Sequence, residues 1–258
     1  MHQQFSKSLK LVSTSHSLLL SGLLLLSTSC SSHSISENQE IAASESTMAW
    51  MKQEYGIIED PEVKILINDI QSRLSRAISE SGLSSKKKFS WQVHLVNSAT
   101  PNAFSAGGGK VFITTGLFKL LGSEAELASV ISHEFAHQLL DHPKNAIAKV
   151  LKENSSSANQ APSLVYSDQH EIEADRAGLK IMKLAGYDIR HALTALSSGY
   201  KRAGHSNTPL AWQTAQRKNP HLDRRLAELF VEVYDKNQLS PSRRSSRQFN
   251  KAKGSLSR

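Results

Sequence analysis

The stretch Ser132-His133-Glu134-Phe135-Ala136-His137 constrains this chain more than any other. Two histidines four residues apart face the same way on a helix, one turn above the other. From one face both imidazoles can reach a single zinc ion at about 2.0–2.1 Å. Glu134 follows the first histidine and is placed to hold a water bound to that metal. The H-E-x-x-H pattern predicts metal-activated hydrolysis, the chemistry of a zinc peptidase. The flanking residues put the motif in mid-helix. Ser123 with Glu126 has the form of a capping box, and Leu127, Val130, Ile131, Phe135 and Leu139 recur at helical spacing.

Such a site needs a third protein ligand and an open position for water. Ser167 can cap a helix that begins near Asp168 and reads His170-Glu171-Ile172-Glu173-Ala174-Asp175-Arg176-Ala177-Gly178. Glu171, Ala174, Asp175 and Gly178 share one face. Small Ala174 and Gly178 permit close approach to a second helix, which lets Glu171 reach the metal. Asp175, one turn further on, can accept a hydrogen bond from a ligand histidine. Glu173 points elsewhere, as a solvated charge, and His170 is an alternative ligand.

Charge bears on which partners are possible. The formal net charge is +8 over 258 residues, with a hydrophobic fraction of 39%. Residues 236–258 hold seven of the basic side chains and no acid, and Lys7 and Lys10 lie in the leader. The body between is close to neutral, so the basic balance is no argument for nucleic-acid binding, and no nucleic-acid partner is expected. A single cysteine excludes an intramolecular disulfide.

Residues 1–30 have the form of an export signal: a basic start, the apolar run Leu18–Leu26, then small residues. The apolar run is shorter than the ~18–20 residues of a membrane span. Cys30 follows the small residues in a way that resembles a bacterial lipobox, with Ser27 where an aliphatic residue is usual. Lipidation of Cys30 would give a membrane anchor in the periplasm, and Ser31 after it favours the outer membrane by the same resemblance. Ordinary signal cleavage is the alternative.

Residues 31–46 read as a flexible tether and residues 47–236 as the folded domain. Helical patterns cover residues 47–56 and 61–80, the second with Pro61 at its first position and an apolar stripe of Val63, Ile65, Leu66, Ile70, Leu74 and Ile78. Residues 89–96 alternate as a strand in which His94 is an ordinary strand residue. Gly107-Gly108-Gly109 and the β-branched run from Lys110 to Thr115 follow. Gly109, Lys110, Val111 and Phe112 are the expected edge strand for pairing with an extended peptide, or else part of a plain hairpin. A short helix over 144–152 and a polar loop over 153–165 are expected before the third-ligand helix, which Gly186 ends. Residues 189–203 and 221–236 carry apolar helical stripes. Residues 237–258 read as a basic disordered tail, available to anionic lipid or cell-wall polymer or simply solvated.

Taken together, Asn102-Ala103-Phe104, the glycine-rich strand, Thr115-Gly116-Leu117, the Ser123–Leu127 cap, His133-Glu134-x-x-His137 and Glu171-x-x-Ala174-Asp175 resemble the gluzincin family of HtpX-like and CAAX-prenyl-type endopeptidases. The likeness is nearest to the small OMA-type bacterial lipoproteins and covers residues 50–235. It implies an α+β fold: a mostly helical zincin-like domain with a small β-sheet beside the motif helix. It also implies one zinc per chain held by His133, His137 and Glu171, with Glu134 catalytic and Asp175 in support. Family members often carry a His-Pro pair before the last helix, followed by an Arg-aliphatic pair. Here Asn219 stands where that histidine would be and His221 is two places off, so either residue could serve transition-state support. The expected function is a zinc endopeptidase acting on misfolded or misassembled envelope proteins, with protein or peptide substrates. A metal-bound scaffold for envelope proteins that cleaves little is the competing expectation.

Overall fold

A computed structural model describes residues 35–83, 89–145, 166–202, 220–234 and 243–256. The leader and Cys30, the expected helix over 144–152 from residue 146 onward, the loop over 153–165 and Asn219 lie outside the described residues. So does the side chain of His221, although its backbone belongs to a helix.

The chain enters through α1 (Glu37–Glu54), which begins with a capping box between Ser36 and Gln39. Most of the expected tether is therefore helix. It looked like a tether because its inward face is polar. Glu40 and Ser44 are buried against the glycine turn, and Glu45 pairs with the buried ammonium of Lys110 at 2.7 Å. No apolar stripe announces such a helix.

Helix α2 (Pro61–Glu80) starts where its sequence says, with the Asp60 carboxylate accepting from the Glu62 and Val63 amides. Its buried stripe includes Val63, Leu66, Ile67, Ile70, Leu74 and Ile78. Ile65, expected in that stripe, is instead exposed.

Three strands follow: β1 (Gln92–Val96), β2 (Ala103–Gly107) and β3 (Lys110–Thr114). They lie in the order β1-β3-β2, with β1 parallel and β2 antiparallel to β3. The expected substrate edge is thus corrected. Val111 and Phe112, with Lys110, lie on the central strand, paired on both sides and buried throughout. The run Val111-Phe112-Ile113 has no polar alternation, the mark of a strand covered on both faces and not of one offered to a partner. Gly109 sits in the turn at φ +85°, where a Cβ would fall 2.4 Å from the Ser90 carbonyl oxygen. The edge beside the metal-site helix is β2.

Thr114 caps the short α3 (Thr115–Leu120), and Ser123 caps α4 (Glu124–Leu139), the motif helix. Helices α5 (Asp168–Leu184) and α6 (Arg190–Arg202) pack on α4, and α7 (Pro220–Tyr234) packs on α5 and α6. Gly186, at φ +80°, lies just past the end of α5, as expected. One core runs from α2 through the sheet to α4, α5 and the C-terminus. Among the described residues no helix is long and apolar enough to cross a membrane.

The C-terminal segment is the second correction. Residues 247–255 form a helix, α8 (Arg247–Ser255), capped by Ser246. Phe249 and Ala252 are buried in the core, with the Phe249 ring 6.1 Å from that of Phe118. Its many Arg and Lys residues suggested solvation, but several have fixed partners. Lys253 donates to the carbonyls of Lys119 at 2.6 Å and Leu121 at 2.9 Å, at the end of α3.

Candidate metal centre

Helices α4 and α5 meet almost backbone to backbone. A Cβ at Gly178 would lie 3.2 Å from the Cα and the amide nitrogen of His133. That is the close approach the small face of α5 was expected to allow. It brings Glu171 opposite the histidine pair.

The Nε2 atoms of His133 and His137 are 3.0 Å apart. Glu171 Oε2 is 3.5 Å from the first, and its Oε1 is 3.5 Å from the second. Ligand atoms from all three side chains fall within 4.8 Å of one another. A tetrahedral ion with bonds of about 2.0–2.1 Å holds its ligand atoms about 3.3–3.4 Å apart, so the spacing fits one divalent cation.

The electrostatics agree with the spacing. Burial pulls the His133 imidazole down, but the Asp175 and Glu171 carboxylates outweigh it and hold its pKa up at about 10. The field at that nitrogen therefore favours positive charge. Burial, followed by the charge on His133, pushes His137 well below the ordinary histidine range. Burial works against ionisation of Glu171 and Asp175, yet contacts with His133 and Arg225 keep both carboxyls lowered. The donor set is two imidazoles and one carboxylate, and a cation bound there would displace the proton that the carboxylates favour on His133.

Each ligand has an outer contact. Asp175 Oδ1 lies 2.9 Å from His133 Nδ1. His137 Nδ1 lies 2.9 Å from His142 Nδ1, and the Tyr166 ring stacks on His137 with centroids 4.0 Å apart. Burial pushes the Tyr166 phenol up, so it keeps its proton. Glu134 is buried, and burial raises its carboxyl to about 7, with Glu171 acting the same way. Its Oε2 has no hydrogen-bond partner among the described residues.

Arg225 of α7 is a site residue that the sequence did not single out. It places Nη1 2.6 Å from Glu171 Oε2, and it donates through Nε and Nη2 to the two oxygens of Asp175 at 2.8 Å each. The only signal for it was the Arg-aliphatic pair of the family resemblance, since a contact spanning fifty residues leaves no local periodicity. Tyr166 had no signal at all. Glu173, expected to be solvated, lies with Oε2 3.4 Å from His142 Nε2. His170 stacks on His142 at 4.2 Å and is not one of the three converging ligands. His94 packs on Phe112 in the sheet, with ring centroids 5.6 Å apart.

A cavity of about 410 Å³ borders His133, Glu134 and Arg225. Val130, Leu179, Ala195, Leu196, Leu222 and Leu229 give it an apolar wall.

Two packed helices bring together a His-His-Glu set that could hold a metal ion, with a buried glutamate beside it and a small sheet at the flank, the arrangement of a zincin-type candidate centre on an α+β scaffold. Residues 66–160, which include the histidine pair, match the model of Peptidase family M48. The region carrying that pair is of peptidase family M48, as the motifs indicated. The chain is 30% identical over 184 residues to the mitochondrial metalloendopeptidase OMA1 of Schizosaccharomyces pombe, covering 65% of this chain and 54% of the relative. To the Arabidopsis thaliana protein of the same name it is 32% identical over 173 residues, covering 61% and 34%. To the beta-barrel assembly-enhancing protease of Escherichia coli K12 it is 24% identical over 206 residues, covering 68% and 40%. The chain thus spans between about a third and about half of the length of these relatives.

Proposed function

We propose that the chain is a zinc-dependent endopeptidase that cleaves proteins of the cell envelope. The observation that carries this reading is the convergence of His133, His137 and Glu171 beside a buried Glu134. His133, His137 and Glu171 would hold one zinc per chain. Bound there, zinc supplies a Lewis acid and lowers the pKa of a water molecule toward about 7.

The protein's own residues do the rest. Glu134, with its carboxyl raised to about 7, takes the proton of the attacking water and passes it to the leaving amine. Arg225 holds Glu171 and Asp175 in register, and Asp175 steadies the His133 ring. The apolar wall of the cavity seats a hydrophobic side chain next to the scissile bond, and the edge of β2 offers main-chain pairing for an extended substrate. Unfolded or misassembled chains supply both features. Names among the relatives that refer to β-barrel assembly, and the export-like residues 1–30, support an envelope location with attachment through Cys30.

The test is direct. Purified protein should contain one equivalent of zinc, which Glu171→Ala should abolish or greatly weaken. Glu134→Gln should keep the zinc and lose cleavage of casein. If Glu134→Gln cleaves at the wild-type rate, this glutamate is not the base. If it fails to cleave but fully restores envelope assembly in cells, the activity is not the function.

A further inference from the structure

We infer that His142 and Glu173 form a relay that fixes the tautomer of His137 and thereby sets how tightly the centre holds its metal. The inference rests on the metal-site reading above.

The chain takes a particular path to build this contact. Helix α4 stops at Leu139, and Asp141 adopts φ 61°, a left-handed conformation that Asp tolerates better than most residues. Its amide returns to the Gln138 carbonyl at 3.2 Å. The reversal carries His142 back over the helix end, where it is buried and stacks on His170. There its Nδ1 meets Nδ1 of His137 at 2.9 Å, and its Nε2 lies 3.4 Å from Glu173 Oε2. Glu173 is in turn held by the Gln169 amide at 2.8 Å.

Proton counting leaves one arrangement. A neutral imidazole carries one N–H and one lone pair. His137 must turn a bare Nε2 toward Glu171 and His133 to bind a cation, so its proton sits on Nδ1. That proton points at His142 Nδ1, which must then be the acceptor. The His142 proton is therefore on Nε2, facing the Glu173 carboxylate. Reversing both tautomers would put an N–H on His137 where the ligand lone pair is needed, and would turn a bare nitrogen of His142 toward a carboxylate. The two ligand histidines are thus supported differently. His133 meets a largely buried carboxylate directly, whereas His137 reaches a more open one through a second ring.

His142 is accordingly a positioning residue. Loss of such an outer partner costs about 10–100-fold in metal affinity. Zinc affinity measured by chelator competition should fall by about that factor in His142→Leu. It should recover in His142→Asn, whose side-chain oxygen can accept at the place of Nδ1. Glu173→Gln, a surface change, should weaken zinc in the same direction but less. Nitrogen NMR of histidine-labelled, metal-free protein should find His137 protonated on Nδ1 in the wild type, with tautomers mixed in His142→Leu. Wild-type zinc affinity in His142→Leu would overturn the relay, as would equal weakening in His142→Leu and His142→Asn, or a wild-type His137 protonated on Nε2. Should the wild type bind no zinc at all, the metal reading itself fails, and the NMR measurement still decides the relay. Should His142→Leu not fold, Glu173→Gln and His142→Asn carry the test, and unchanged zinc affinity in Glu173→Gln overturns it.

Discussion

The helix pair α4–α5 and the C-terminal segment around α8 solve similar electrostatic problems by opposite means. At the candidate metal centre, Glu171 and Asp175 crowd two imidazoles, and one arginine from α7 offsets only part of their charge. At the other end of α4, Glu124 is fully buried, with Tyr187 donating to it at 3.0 Å and Arg243 at 3.1 Å. Arg243 also reaches Asp69 of α2 at 3.3 Å, and the Arg244 carbonyl accepts the Ala125 amide at 3.0 Å in the first turn of α4. The C-terminus is thus a clasp on the helix that carries the catalytic motif. The site has surplus negative charge that a cation can use. The clasp has its charges matched and serves stability. The lesson is that a basic composition does not say whether a segment is solvated: what counts is whether buried acids and helix-end carbonyls wait for it.

Glu134→Gln should show the largest separation of the two regions. Cleavage should drop by about 10²–10⁴-fold, while the urea midpoint stays at the wild-type value. A parallel loss of stability would mean that the site is also a structural keystone. Arg243→Ala should do the reverse. It strands a buried carboxylate and should cost about 3 kcal/mol in urea unfolding, with zinc affinity of the folded protein unchanged. Arg225→Ala sharpens the contrast, because it should destabilise metal-free protein by a similar amount, and saturating zinc should recover more stability in the variant than in the wild type. An equal gain from zinc in both proteins would mean that Arg225 and the metal do not share Glu171. Phe249→Ala should cost about 3 kcal/mol by leaving a cavity against Phe118, again without altering zinc affinity. The smallest effect concerns Asp188, next to the clasp, whose carboxyl is held below its ordinary value mainly by hydrogen bonding to Arg190. A depressed pKa in the folded state stabilises above the unfolded value and is lost as the pH falls through the folded one. Asp188→Asn should therefore be slightly less stable at neutral pH, and its unfolding curve should converge with that of the wild type in acid.

Much of the centre was legible because its information is local. The spacing of His133 and His137, and of Glu171, Ala174, Asp175 and Gly178, is helical arithmetic, and the capping residues Ser123 and Ser167 fix where each helix begins. Individual helices and strands were read from the same kind of periodicity, and their α+β arrangement from the family resemblance. Illegible were features whose cause lies across the fold. The inner face of α1 is polar because it meets Lys110 and a glycine turn. Strand β3 is central because β1 returns parallel to it, and hydrophobic alternation does not encode strand order.

The amino-acid sequence by itself determined the two helices and which of their side chains share a face, His133 with His137 and Glu171 with Asp175, since side chains repeating at 3.6 residues must do so. Only the tertiary structure decided what surrounds those side chains: Arg225 on Glu171 and Asp175, His142 behind His137, and a C-terminal helix in place of a loose tail. These are pairings between charged or polar groups far apart in the chain. Such pairs form only where burial removes competing water and the packed backbone brings the partners within reach, and no local pattern records either condition.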